Sequence, residues 1–229
     1  TKRASPASVT SYAAATQDAR RLLALRESDP TSHPYQLVDA QWLVRTTETI
    51  ATLPPAARQE MAWVDGSFPL ADSLIRHGAY AAAIEVAERR VEIRRRHLGE
   101  VHPDVAWGLD LVAVYQIEWG RYRAAARTCS LSLTIRRELF GNDHPLLGYC
   151  LEHLGRALRE MGHLESAERT LRAALDLLER HYGPRHPAVA TTLGDLGILL
   201  FFKNQYNEGE ACVRRCMAVR RKLFGVDSP

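Results

Sequence analysis

The sequence predicts an all-α fold, a right-handed α-solenoid of helix-turn-helix repeats preceded by an N-terminal helical extension. Three landmarks recur at one spacing. His-Pro stands at His102-Pro103, His144-Pro145 and His186-Pro187, each pair 42 residues from the next. Leucine or an aromatic before glycine keeps the same step at Leu98-Gly99, Phe140-Gly141, Tyr182-Gly183 and Phe224-Gly225. Gly78, Gly120, Gly162 and Asn204 form the third series, followed two residues later by Tyr80, Tyr122, Leu164 and Tyr206. A fixed period of this length is the signature of stacked supersecondary units.

Residues 1–10, rich in Ser, Pro and Ala, read as a flexible tail, and residues 11–58 as an N-terminal helical segment. Within that segment one helix is expected over residues 12–27, closing before Asp29-Pro30. A second opens at His33-Pro34 and stops at Pro54-Pro55. The array follows over residues 59–229, with units at about 61–99, 103–141, 145–183 and 187–225. After each His-Pro comes an apolar run at spacings of 3 and 4, as in Leu151, Leu154 and Leu158, which marks an amphipathic first helix. Proline suits its first turn, where the missing N–H costs nothing. The glycine or asparagine then supplies the left-handed residue that ends it. Ala83, Ala125, Ala167 and Gly209 lie early in the second helices, where small side chains permit close approach. The 61–99 unit differs: it has Glu60-Met61 in place of His-Pro and Pro69 inside its first helix, so a short or kinked helix is expected there. At the other end, residues 225–229 occupy the place of residues 183–187, and no polar cap follows Lys222. The expectation is an array truncated at its C-terminal side.

These landmarks resemble the tetratricopeptide repeat, in the 42-residue version of kinesin light chains and of many bacterial and fungal signalling proteins. The likeness covers about residues 61–229. It places the family's small-residue position on Ala113, Gly155 and Gly197, its first-helix leucine on Val112, Leu154 and Leu196, and its second-helix alanine on Ala125, Ala167 and Gly209. What the resemblance implies is a protein-interaction scaffold. Separately, residues 20–56, with Asp29-Pro30, His33-Pro34, Trp42 and Pro54-Pro55, resemble a segment of the ImpA-related accessory proteins of bacterial type VI secretion. That likeness implies a structural or oligomerising part of a larger assembly.

By the family register, the partner-binding groove falls on Trp107, Asp110, Val114 and Ile117, on Tyr149, Glu152, Arg156 and Arg159, and on Thr191, Gly194, Ile198 and Phe201. Each set lies along one helical stripe. A protein or peptide ligand is the expected partner, and the acids Asp110 and Glu152 argue against a carboxylate ligand. Ile198, Phe201 and Phe202 serve equally well to pack on a missing next repeat, and an open last repeat also offers a surface for self-association.

Other chemistry is not indicated. Lys and Arg number 30 against 27 Asp and Glu, and a formal charge of +3 names no nucleic-acid or membrane partner. The runs Arg89-Arg90, Arg94-Arg95-Arg96, Arg136-Arg137, Arg214-Arg215 and Arg220-Arg221-Lys222 lie on second helices among glutamates. They read as solvated surface, with nucleic-acid binding the outlying alternative. His102, His144 and His186 come one per repeat, too far apart to share a metal, and read as loop and cap residues. Cys129, Cys150, Cys212 and Cys216 make no CxxC pair and point to packing in a reducing, cytoplasmic setting. No catalytic motif, phosphate loop, cofactor fingerprint or metal site is present in the sequence, so an enzyme is not expected. No apolar stretch approaches the roughly 20 residues that span a bilayer.

Overall fold

The computed structural model describes residues 7–225. Among these residues are eleven helices and no strand. They are α1 (Ala7–Ser28), α2 (Pro34–Thr52), α3 (Pro55–Gly66), α4 (Phe68–Arg76), α5 (Tyr80–Leu98), α6 (Pro103–Glu118), α7 (Tyr122–Phe140), α8 (Pro145–Glu160), α9 (Leu164–Tyr182), α10 (Pro187–Phe202) and α11 (Tyr206–Phe224). This is the all-α fold of helix-turn-helix repeats that the sequence predicts. The chain divides after Gly108 into two compact units, with α6 continuing through the division.

In the first unit α1 packs along α2, and α3 and α4 pack on α5. Ile50, Met61, Val64 and Ile93 form its buried core, flanked by Tyr12, Leu53, Trp63 and Leu98. Two boundaries differ from expectation. The first helix starts at Ala7, so residues 7–10 of the expected flexible tail are helical; residues 1–6 of it lie outside the described residues. The alanine-rich stretch that follows, with Ala13, Ala14 and Ala15, has the best helix-forming residue and no breaker. The expected kink near Pro69 is a one-residue interruption between two helices. Helix α3 ends at Gly66, and Ser67, buried and donating its hydroxyl to the Val64 carbonyl at 3.0 Å, separates it from α4. Pro69 thereby falls in the first turn of α4, where it forfeits no hydrogen bond.

The turn inside each repeat has one hydrogen-bond pattern. The Arg121 amide donates to the Gln116 carbonyl at 2.7 Å and the Gly120 amide to Ile117 at 2.9 Å. His163 to Leu158 with Gly162 to Arg159, and Gln205 to Leu200 with Asn204 to Phe201, repeat the pattern, as do Ala79 to Leu74 with Gly78 to Ile75. This is the Schellman closure, which requires a left-handed residue, and Asn204 fills the last site at φ 60° where the others have glycine.

The repeat junction is a histidine cap. The His144 and His186 Nδ1 atoms accept the amides of Leu146 and Ala188 at 3.3 and 3.2 Å, with Pro145 and Pro187 in the first turn. Phe140 and Tyr182 stack on those imidazoles at 4.3 Å, which accounts for the recurring aromatic before glycine. In the first unit His102 Nδ1 accepts the Asp104 amide at 3.1 Å, while Nε2 meets the Thr46 hydroxyl of α2 at 3.1 Å. Because that hydroxyl donates to the Trp42 carbonyl, His102 is the donor at Nε2 and carries its proton there.

The small-residue positions behave as spacing elements. A Cβ on Gly155 would lie 2.6 Å from Leu171 Cγ, and one on Gly197 would lie 2.7 Å from a Val213 methyl and 3.1 Å from the Gly209 carbonyl. In the last repeat the two helices therefore touch nearly backbone to backbone. Leu171 is fully buried beside Ala167, Leu196, Leu199 and Leu200 and has no room to retreat.

Gly155→Ala is expected to destabilise the protein by about 1–3 kcal/mol through overpacking, and Leu171→Ala by about 2–5 kcal/mol through its cavity. The double variant should cost clearly less than the sum, measured by urea unfolding followed by circular dichroism, because the added methyl fills part of the vacated volume.

Candidate functional site

In the second unit the first helices present a row of side chains joined by charge. Arg156 of α8 reaches Glu118 of α6 at 3.3 Å and Asp195 of α10 at 3.9 Å, and Arg159 reaches Asp195 at 3.1 Å and Glu160 at 2.9 Å. Along this row Val114, Tyr149, Arg156 and Arg159 are half-buried, while Thr191, Ile198 and Phe201 are exposed. These residues, with half-buried Gly194, keep accessible surface.

Asp110, Ile117 and Glu152 do not. All three are buried, Ile117 in an apolar cluster with Ala125 and Ala157. Asp110 turns inward, accepting from the Ser132 hydroxyl and Arg136 Nη2 at 2.6 Å each and from the Cys150 thiol at 3.3 Å. Arg136 also donates to the Leu146 carbonyl at 2.8 Å, so one buried guanidinium ties α7 to α6 and α8. Burial, with Asp110 beside it, pushes the Cys150 thiol up to about 12, far from a reactive thiolate.

The arginine runs are accordingly only partly solvated. Arg90, Arg94 and Arg136 are buried, a correction to the surface reading. In the first unit the Arg90 guanidinium lies over the Phe68 and Trp107 rings at 5.2 and 5.7 Å, and Arg94 over Trp107 at 5.2 Å. Trp107 is 41% exposed and stacks on Phe68 at 6.0 Å. Aromatic faces offset the desolvation of these cations. Other members of the runs pair with carboxylates, Arg96 with Glu92 and Glu60, Arg214 with Glu210, and Arg215 with Glu179.

Glu152 carries the most perturbed electrostatics of the row. Burial, and hydrogen bonding to and repulsion from Asp195, hold its carboxyl well above the usual range against the opposing pull of Arg156 and Arg159. His153 Nε2 stands 3.3 Å from Glu152 Oε2, and burial holds that imidazole below its ordinary value. The register offered no sign of Asp195 as a site residue. Its signal was there, since Asp195 is the lone charge in the sixteen residues of α10, and a single acid in an apolar helix must find a partner inside.

Among the described residues no cluster of His, Cys, Asp and Glu is arranged to hold a metal. No helix among them is long and apolar enough to cross a membrane.

Family models for the tetratricopeptide repeat match residues 70–104, 120–180 and 164–222. The chain belongs to the tetratricopeptide repeat family. Similar solved structures include a putative kinesin light chain with nearly identical TPR-like repeats from Podosopora anserina, at 15% identity and TM-score 0.53, with 96% of each chain covered. BtubC (BKLC) from P. vanneervenii shares 18% identity at TM-score 0.59, covering 96% of this chain and 92% of that one. MamA, residues 41 to the end, from Desulfovibrio magneticus RS-1 shares 14% identity at TM-score 0.51, covering 96% and 98%. No curated protein matches the sequence. The family matches begin at residue 70, so the ImpA-like reading of residues 20–56 gains no support from them. A tetratricopeptide repeat fold is in general a scaffold for protein–protein interaction.

The raised carboxyl of Glu152 fixes a sign. A group that prefers its neutral form when folded adds stability at pH below its unfolded value, and this is lost as pH rises through the folded value. Glu152→Gln lacks that loss. Its melting temperature relative to the parent should therefore increase from pH 4.5 to pH 8, by the equivalent of about 1.4 kcal/mol for every factor of ten by which folding favours the neutral acid. A difference that stays flat with pH would show that Glu152 ionises normally.

Proposed function

We propose that the second unit binds an extended or helical segment of a partner protein along the row formed by α6, α8 and α10. The observation that carries this reading is the stripe of accessible side chains, Tyr149, Arg156, Thr191 and Ile198, crossing adjacent first helices. It mixes aromatic, cationic, hydroxyl and aliphatic groups, the composition of a recognition surface, and the helices beneath it are locked by ion pairs. A preorganised surface of this kind spends little ordering entropy on binding. The reading is non-catalytic: the perturbed groups Glu152 and His153 are tied into the helix packing.

A second reading has its own observation. At the last repeat Ile198, Phe202, Met217 and Leu223 are all exposed, 45, 63, 48 and 40% respectively. Large apolar side chains this open mark a surface for association, here with a second copy of the chain.

Tyr149→Ala combined with Ile198→Ala is expected to weaken partner capture at least tenfold with the helical circular dichroism unchanged, since a few large anchors dominate such contacts. Retention of the partner by this variant would move binding off the first helices. A dimer in sedimentation velocity that Phe202→Lys dissociates would support the second reading.

A further inference from the structure

Where α6 turns into α7 and α8 into α9, an open cavity of about 540 Å³ is lined by Arg121, Tyr122, Arg123 and Arg127 from one turn and by Glu160 and His163 from the next. Its charge is one-sided. The lining's acid, Glu160, is already taken, accepting from Arg159 at 2.9 and 3.1 Å. The Arg121 guanidinium lies over the Trp119 ring at 4.2 Å. Among the described residues Arg121, Arg123 and Arg127 pair with no carboxylate, and all three are exposed.

These cations are placed against the stability of their own helix. Arg121 and Arg123 crowd the start of α7, the positive end of its dipole. Arg123 and Arg127 are four residues apart, a spacing at which like charges repel. Elsewhere the array avoids both costs: the first turns of α9 and α11 carry Glu165 and Glu208, and α5 begins with Tyr80 and three alanines. One period after Arg123 and Arg127 come Glu165 and Arg169, opposite charges in the favourable order. There Lys203 also meets Glu165 at 3.7 Å and Glu168 at 2.5 Å. At the α7 turn Arg123, Ala126 and Met161 occupy the places of those two acids and that lysine. What the α9 turn neutralises internally, the α7 turn leaves to be neutralised by an anion from outside.

Locality decides the kind of anion. The run of cations ends at the next turn, where Glu165 and Glu168 stand, so the backbone of a nucleic acid would find no further positive charge to follow. One concentrated charge fits better. A phosphate monoester brings close to two negative charges and three acceptor oxygens, and guanidinium planes bind it bidentately. The amides of Tyr122, Arg123 and Ala124, which a helix start leaves without intrahelical acceptors, belong to residues of the same lining. We propose that this cavity binds the phosphoryl group of a phosphorylated side chain of a partner protein, with Arg123 and Arg127 as its principal ligands and Arg121 beside them. The site is built from the turns between helices and is independent of the groove on α6, α8 and α10.

The probe is a short peptide with blocked ends in which one phosphoserine is flanked only by alanines. It is titrated into the full chain at constant ionic strength while the backbone amide resonances of Tyr122, Arg123 and Ala124 are followed by NMR. Saturable shifts centred on these amides are expected, with the same peptide carrying serine or glutamate at least tenfold weaker. Arg127→Gln should weaken the phosphopeptide at least tenfold, whereas Arg185→Gln, at an exposed arginine of another loop, should leave it unchanged. Arg123→Glu should abolish binding and raise the melting temperature by about 1–4 °C, because it supplies the acid that α9 has at this position. Absence of saturable shifts, equal affinity for the glutamate peptide, binding unchanged in Arg127→Gln or a lowered melting temperature in Arg123→Glu would each overturn the phosphoryl site. So would displacement of the phosphopeptide by an oligothymidylate that binds more tightly and with a steep salt dependence, which would mark a polyanion surface instead.

Discussion

Each junction between repeats hangs on an imidazole that must stay neutral. The ring nitrogen that caps the next helix can accept an amide only while it carries no proton, and a helix N-terminus already disfavours a positive neighbour. Burial supplies the rest, holding the His102 and His186 rings below the ordinary histidine value. With the cap in place the proline fixes the first turn, the preceding aromatic covers the ring, and the next helix leaves at a set angle. Remove the neutral ring and the 42-residue step loses its reference point.

The charges are distributed according to what each repeat can bury. Where the first helix offers an acid, as Asp110 does, the second helix answers with a buried arginine, and the pair is closed by a hydroxyl, a thiol and a carbonyl. Removing one partner of such a cluster leaves the other uncompensated in a low-dielectric interior. One period further on, Glu152 finds no such arginine because Leu178 stands where Arg136 stood. The acid there is met from the side, by Asp195.

The sequence made the framework legible because the framework is built from backbone geometry. Positive φ at Gly120, the missing amide of Pro145 and the absent Cβ of Gly155 each admit few residue types, so their recurrence can be read directly. The break at Ser67 was legible through Pro69, though only as an irregularity. The direction of side chains was less so. Asp110 and Glu152 share a register position with half-buried Gly194, and the register says which stripe they occupy without saying that a partner draws them inward. Nor does a string of arginines show which one turns toward Trp107 or Asp110, since neighbours in sequence face different sides of a helix. Asp195 was visible but unweighted: its isolation in α10 is a local fact whose meaning lies in Glu152 and Arg159 on another helix.

The Schellman turn and the histidine cap together have a consequence for how such a chain grows. Between one His-Pro and the next, the segment carries its own front fastening, its own internal reversal and, at its end, the aromatic that covers the following segment's ring. A copied cassette of this length would arrive with its connections already solved, leaving only the facing surfaces to be adjusted. Novelty in this architecture is thus cheapest on the stripes and costliest at the joints, so a lineage can exchange its ligands while keeping its skeleton.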